Sequence, residues 1–127
     1  MEPADLLSRA AAFALAVLQF YRRLPKTQEA QIPGAQLLRS ATGIAANYRA
    51  ARRGRSRAEF IAKLGIVVEE SDETVGWLEY MRDGAIATDP DLLHEAKELC
   101  AIFTVSLRTA RRNAAERKNV NARSRRS

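Results

Sequence analysis

The sequence predicts an all-α protein, an antiparallel up-down four-helix bundle, and three observations carry that reading. Apolar residues recur at three- and four-residue steps in four separate segments. No useful length alternates with the period of two that a half-buried strand requires. Breakers are scarce, with 6 Gly and 4 Pro in 127 residues, which favours long helices. Helices joined by short connections pack as an antiparallel bundle, and a chain of this length holds one domain with a real core.

The first helix is predicted from about Ala4 to Arg23, where Leu6, Ala10, Phe13, Val17, Phe20 and Leu24 share one face, and Pro25 ends it. The second is predicted to begin near Pro33, because proline is favoured in a first turn. It carries Leu37, Ala41, Ile44, Tyr48 and Ala51 before Gly54 closes it. The third opens on Ser56 and Glu59, an S-x-x-E capping box whose two side chains satisfy backbone N–H groups that the first turn leaves without intrahelical partners. Phe60, Leu64, Val67, Ser71, Thr74, Leu78 and Met81 follow at heptad spacing, and Gly84 stops it. The fourth starts at Asp89-Pro90, a cap followed by proline at the first helical position, and presents Leu92, Ala96, Leu99, Phe103, Ser106 and Ala110. Residues 1–115 are thus assigned to the bundle. Residues 116–127, "ERKNVNARSRRS", have no apolar face and are expected to form a basic, disordered tail.

A net charge of +6 and a pI near 10.1 favour anionic partners: nucleic acid, acidic protein or anionic lipid. Cys100 is the only cysteine, which excludes an internal disulfide framework and a multi-cysteine zinc site; a reduced, cytoplasmic compartment is the simplest expectation. The longest early apolar run, Ala10 to Tyr21, falls short of the roughly 20 residues that span a bilayer. It has no basic leader and no small-residue cleavage site, so neither membrane anchor nor signal peptide is expected. "AAAFALAVL" in the first helix and "LCAIFTVSL" in the fourth carry no charge on any face, which predicts self-association.

Antiparallel neighbours joined by a tight turn are level where residue numbers sum to a constant, about 110 for the second and third helices and about 173 for the third and fourth. This places Arg39 between Glu70 and Glu73, Asn47 beside Lys63, and Arg111 and Arg112 level with Ile61 and Ala62. Arg49, Arg52, Arg53, Arg55, Arg57, Arg108, Arg111, Arg112, Arg117 and Lys118 then gather at one end of the rod, a basic pole. Cations in the last turns of helices are favoured by the helix dipole, by roughly 0.3 to 1 kcal/mol each, which accounts for Arg49, Arg52, Arg53, Arg111 and Arg112 without a partner. It does not account for Arg55 and Arg57, which flank the positive N-terminus of the third helix.

Other candidates are weaker. Asp91 and His94 make one Asp-x-x-His pair, too few ligands for a metal site, so no metal is expected. No glycine-rich phosphate loop or nucleophile elbow occurs, and no cofactor is expected. Cys100 lies level with Glu73, which would raise its pKa rather than activate it. Arg39, Asn47, Lys63, Glu70 and Glu73 read as a structural network before an active site, since no nucleophile accompanies them.

The run from Leu37 to Met81, with Arg39-Ser40-Ala41, Ile44-Ala45-Ala46-Asn47-Tyr48-Arg49, Ala58-Glu59-Phe60-Ile61, Lys63-Leu64, Glu69-Glu70 through Glu73-Thr74 and Trp77-Leu78, resembles the bacterial four-helix-bundle proteins related to those encoded by intervening sequences in large-subunit ribosomal RNA genes. Many relatives have "NIAEG" where this chain has "NYRAA". The resemblance implies a bundle assembled as a ring-shaped homopentamer with no known enzymatic activity. A more distant similarity is to the accessory proteins of diversity-generating retroelements, basic pentameric barrels that bind nucleic acid and a reverse transcriptase. Together these readings predict a non-enzymatic oligomer that binds RNA or DNA through phosphate contacts at its basic pole, without sequence specificity. The alternative is an adaptor ring that docks an acidic protein.

Overall fold

The computed structural model describes residues 2–126 and contains α1 (Pro3–Arg22), α2 (Gln28–Arg52), α3 (Arg57–Asp83) and α4 (Pro90–Arg126). Among the described residues there is no strand. The outermost residues of the two predicted regions, Met1 and Ser127, lie outside them. Each helix runs antiparallel to the one before, and the apolar stripes meet in one core: Leu6, Phe13 and Val17 of α1, Leu37 and Ile44 of α2, Leu64, Val67 and Met81 of α3, Leu99 and Phe103 of α4. By length and composition alone α1 is apolar enough to cross a bilayer. In this fold its stripe from Leu6 to Phe20 is core.

Both side-chain caps predicted for the later helices form. Ser56 Oγ accepts the Glu59 N–H at 3.1 Å, while the Glu59 carboxylate accepts the Arg55 N–H at 2.6 Å, one residue earlier than a capping box requires. Asp89 Oδ1 accepts the Leu92 N–H at 3.0 Å.

The start of α2 differs from the sequence expectation: the helix begins at Gln28, and Pro33 lies inside it. Proline removes one backbone rung there, but Ala30, Pro33 and Gly34 are buried, and that packing outweighs the rung. A Cβ on Gly34 would lie 2.5 Å from Leu24 Cδ1, so glycine lets α2 press against the end of α1. Gln31 Nε2 ties the turn by donating to the Pro25 carbonyl at 2.9 Å.

α3 ends where Gly84 predicted, yet the left-handed residue is Ala85, at φ 55°. The Ile86 N–H bonds to the Met81 carbonyl at 2.9 Å and the Ala85 N–H to that of Arg82 at 3.1 Å, the pair of bonds that defines a Schellman stop.

α4 also departs from expectation, continuing through Arg126 where a disordered tail was predicted from 116. The segment lacks an apolar face but has good helix formers at Glu116, Arg117, Lys118, Ala122, Arg123, Arg125 and Arg126, and no Gly or Pro follows Pro90. Extending a packed helix needs no new nucleus, and Arg123, Arg125 and Arg126 suit the negative end of its dipole. Every residue from Ala115 to Arg126 is exposed.

Candidate nucleic-acid interface

The α2–α3 turn is built by backbone bonds that leave its arginine side chains outward. Arg53 caps α2, its N–H bonding to the Ala50 carbonyl and that of Gly54 to the Ala51 carbonyl, and three residues after Arg53 Ser56 opens α3. Arg49, Arg52, Arg53, Arg55 and Arg57 are all exposed. Glu59, the acid nearest to them in sequence, has its carboxylate on the Arg55 backbone N–H.

α4 runs back toward this turn. The Arg111 guanidinium lies 4.0 Å from where a Cβ on Gly65 would be, about one turn beyond its expected level at Ile61 and Ala62. Arg57 shares a cleft of about 380 Å³ with Asn113, Glu116, Arg117 and Val120, so α4 passes the turn near Arg117 and continues beyond it. Arg112, Arg117 and Lys118 are exposed on this stretch. The predicted cations therefore occupy one end of the molecule in two groups, one on the turn and one on α4. Among the described residues, none of Arg49, Arg52, Arg53, Arg55, Arg57, Arg108, Arg111, Arg112, Arg117 and Lys118 makes an ion pair.

Arg49, Arg52 and Arg53 also rim an open groove of about 660 Å³ between α1 and α2, whose lining includes Leu7, Ala11, Ala14, Leu15 and Ala45. Leu15 is 62% exposed. Diagonally across the bundle, Val75 of α3 and Ala101 and Val105 of α4 line a second shallow apolar face, where Val105 is 55% exposed. The uncharged segments of the first and fourth helices thus leave apolar surface open on opposite sides. Tyr48 is core, its ring 5.1 Å from that of Phe103, and burial raises its pKa against the opposing charge of Arg52.

The predicted network forms only in part. Arg39 Nη2 meets Glu73 Oε2 at 3.1 Å as its level predicts, and both side chains are about half exposed, which makes it a surface ion pair. Asn47 lies beside Glu70, not Lys63: its Nδ2 donates to Glu70 Oε1 at 2.9 Å. Lys63 is exposed and stands apart, with no hydrogen bond or ion pair among the described residues. Side chains lean toward the N-terminus of their own helix, so across an antiparallel pair touching residues sum above the backbone value of about 110. Glu70 is half-buried against Gly43, where a Cβ would lie within 1.8 Å of its Oε2. Burial raises the Glu70 pKa, with Glu73 and Glu69 adding to the rise while Asn47 and Arg39 oppose it.

The strongest polar cluster escaped the sequence. Arg9 donates through Nε and Nη2 to Glu95 at 2.7 and 2.6 Å, and through Nη2 to Glu98 at 2.6 Å, clamping α1 to α4. A lone arginine in the apolar "SRAAAFALAVL", opposite two acids three apart, was the available signal. His94 is exposed and meets Glu98 at 3.0 Å, rather than Asp91. Burial raises the Cys100 pKa, and the neighbouring carboxylate is Asp72, not Glu73. Among the described residues no group of three or more His, Cys, Asp or Glu is arranged to hold a metal.

A search of the curated proteins finds no match. The fold is similar to the crystal structure of a protein of unknown function from the S23 ribosomal protein family of Bacteroides thetaiotaomicron, with 29% sequence identity and a TM-score of 0.78 over 85% of this chain and 99% of that one. The family model for 23S rRNA-intervening sequence proteins matches residues 2–105, covering α1 to α3 and α4 as far as Val105, while Arg108, Arg111, Arg112, Arg117 and Lys118 lie beyond it. A match of that extent, on an all-helical bundle, places the chain in the 23S rRNA-intervening sequence protein family.

Proposed function

We propose that this protein is a non-enzymatic, self-associating nucleic-acid-binding protein that holds RNA or DNA by phosphate contacts at its basic end. The observation that carries the reading is the set of exposed arginines Arg49, Arg52, Arg53, Arg55 and Arg57 on the turn and Arg108, Arg111, Arg112 and Arg117 on α4, which no carboxylate among the described residues pairs. Elsewhere in the fold Arg9, Arg23, Arg39, Arg82 and Lys97 each meet a carboxylate. The arginines of the turn and α4 just named do not, and an anionic lattice supplies what they lack.

The proposal extends to a homopentameric ring. Two different apolar faces on opposite sides, one at the α1–α2 groove and one at α3–α4, suit a head-to-tail contact, which closes into a ring when the rotation between subunits allows it. A ring would present the basic end once per subunit, so weak phosphate sites act together on one strand.

The test is titration of labelled RNA and DNA against the wild type and the quadruple change Arg52, Arg53, Arg55 and Arg57 to Ala, across a range of salt. Every arginine–phosphate pair removed lowers the salt slope by about 0.9 on duplex DNA and about 0.7 on single strands. A folded, oligomeric quadruple variant that keeps wild-type affinity and slope removes the turn from the interface. A wild type that binds no nucleic acid removes the reading, and an acidic protein partner takes its place.

A further inference from the structure

The cations on the last part of α4, from Arg108 through the exposed extension, are not spread around it. At about 100° per residue, Arg108, Arg111, Arg112, Lys118, Arg123, Arg125 and Arg126 fall within an arc of about 160°. Arg111, Lys118 and Arg125 repeat every seven residues, and Arg112 and Arg123 are eleven apart, so the stripe runs straight along the helix. Arg117 faces away from it, into the cleft with Arg57. Between Arg108 and Arg126 the stripe spans about 27 Å at 1.5 Å per residue.

Two further observations bear on what such a stripe recognises. Single-stranded nucleic acid is held by a basic track together with aromatic rings on which bases stack. The basic end offers no exposed ring among the described residues: Tyr48 is buried, Phe60 is half-buried, and no aromatic follows Phe103. The extension is also open to solvent along its length, every residue from Ala115 to Arg126 being exposed. A bare helix is about 10 to 12 Å across, matching the roughly 12 Å width of the B-form major groove.

We propose that the helical extension of α4 is a duplex-binding element, its basic stripe lying along the paired phosphate rails of a double-stranded nucleic acid. This rests on the nucleic-acid reading above and narrows it from any strand to a duplex. The helix is the reason, because it spaces the cations regularly on one side, whereas a coiled tail of equal charge would follow a single strand equally well. Duplex DNA and duplex RNA share the paired rails. The groove width favours DNA, since the A-form major groove is narrow.

The experiment uses the full chain and compares blunt duplex DNA, duplex RNA, and single strands of equal length at one salt concentration, with a salt series on duplex DNA. Three proteins are tested: the wild type, the triple change Arg111, Lys118 and Arg125 to Ala, and Ala115→Pro. The last keeps every charge and breaks the helix beyond the packed core. The wild type is expected to prefer a duplex over single strands by about tenfold or more, and the salt slope of the triple variant on duplex DNA is expected to be shallower by about 2.7. Ala115→Pro is expected to lose the duplex preference while its body stays folded and oligomeric by circular dichroism and light scattering. Tighter binding to duplex DNA or to duplex RNA identifies the source, either outcome supporting the proposal. Single strands that bind as well as duplexes overturn it, as does an Ala115→Pro variant with wild-type preference, and both leave the broader reading standing. No binding to any of the probes overturns both.

Discussion

Glu70 is held half-buried against Gly43, with only the Asn47 amide donating to it among the described residues, so ionising it costs more in the folded chain than in the unfolded one. The sign follows from the raised pKa. Stability from the protonated form is complete below the unfolded value and is lost as pH rises through the folded one. Glu70→Gln keeps the acceptor for Asn47 and removes the charge, so it is expected to raise the melting temperature at pH 7. The advantage should vanish below about pH 4, where wild type is also neutral; an advantage unchanged at acid pH would show that charge is not the cause. Ala85 gives a second residue-scale test. Its left-handed φ of 55° costs an L-residue about 1 to 2 kcal/mol. Ala85→Gly relieves that strain and gives back part through the looser unfolded chain. A net gain of about 0.5 to 1 kcal/mol is expected as a higher urea midpoint at unchanged slope. Arg39→Ala belongs here as a contrast: its partner Glu73 is about half exposed, so its loss should cost under about 1 kcal/mol.

Between elements, the starts of α3 and α4 were legible because their caps are local, each a side chain bonded three residues ahead. The start of α2 was not. Proline near a helix start reads as its first turn, and only the burial of Ala30, Pro33 and Gly34 against the end of α1 shows why the helix tolerates Pro33 inside it. The basic end was legible as charge, and its helical form on α4 was not, because a segment without an apolar face carries no periodic signal even where many of its residues are good helix formers. The clamp from Arg9 to Glu95 and Glu98 joins residues 86 and 89 apart, beyond any local rule. Arg9 holds Glu95 below the usual carboxylate range, first through its hydrogen bonds, with burial opposing. A lowered carboxylate pKa contributes stability above the unfolded value that is lost as pH falls through the folded one. Arg9→Ala should therefore destabilise the bundle by about 1 kcal/mol near pH 7. It should also lose less on acidification than wild type; parallel acid unfolding curves would assign the acid response elsewhere.

At the scale of the whole molecule, Arg49, Arg52 and Arg53 rim the α1–α2 groove while the α3–α4 face has none of the turn's arginines, so assembly is disturbed apart from binding by changing apolar residues and leaving the cations in place. Leu15→Glu at the α1–α2 groove and Val105→Glu at the α3–α4 face each place a charge where a head-to-tail contact would bury apolar surface. Either change alone should reduce the mass seen by light scattering to that of the monomer. A wild type that is already monomeric would remove the ring. The exposed end of α4 has a consequence for how the chain comes apart. A helix without a packed face opens at a free energy set by the local helix–coil balance, near zero, whereas Leu64, Val67 and Leu78 open only with the whole bundle. Amides from Ala115 to Arg126 should exchange with solvent early, and a protease specific for lysine and arginine should trim Arg117 to Arg126 stepwise, leaving a resistant body. Bound duplex should slow both the exchange and the trimming, making the end of α4 a reporter of its own occupancy.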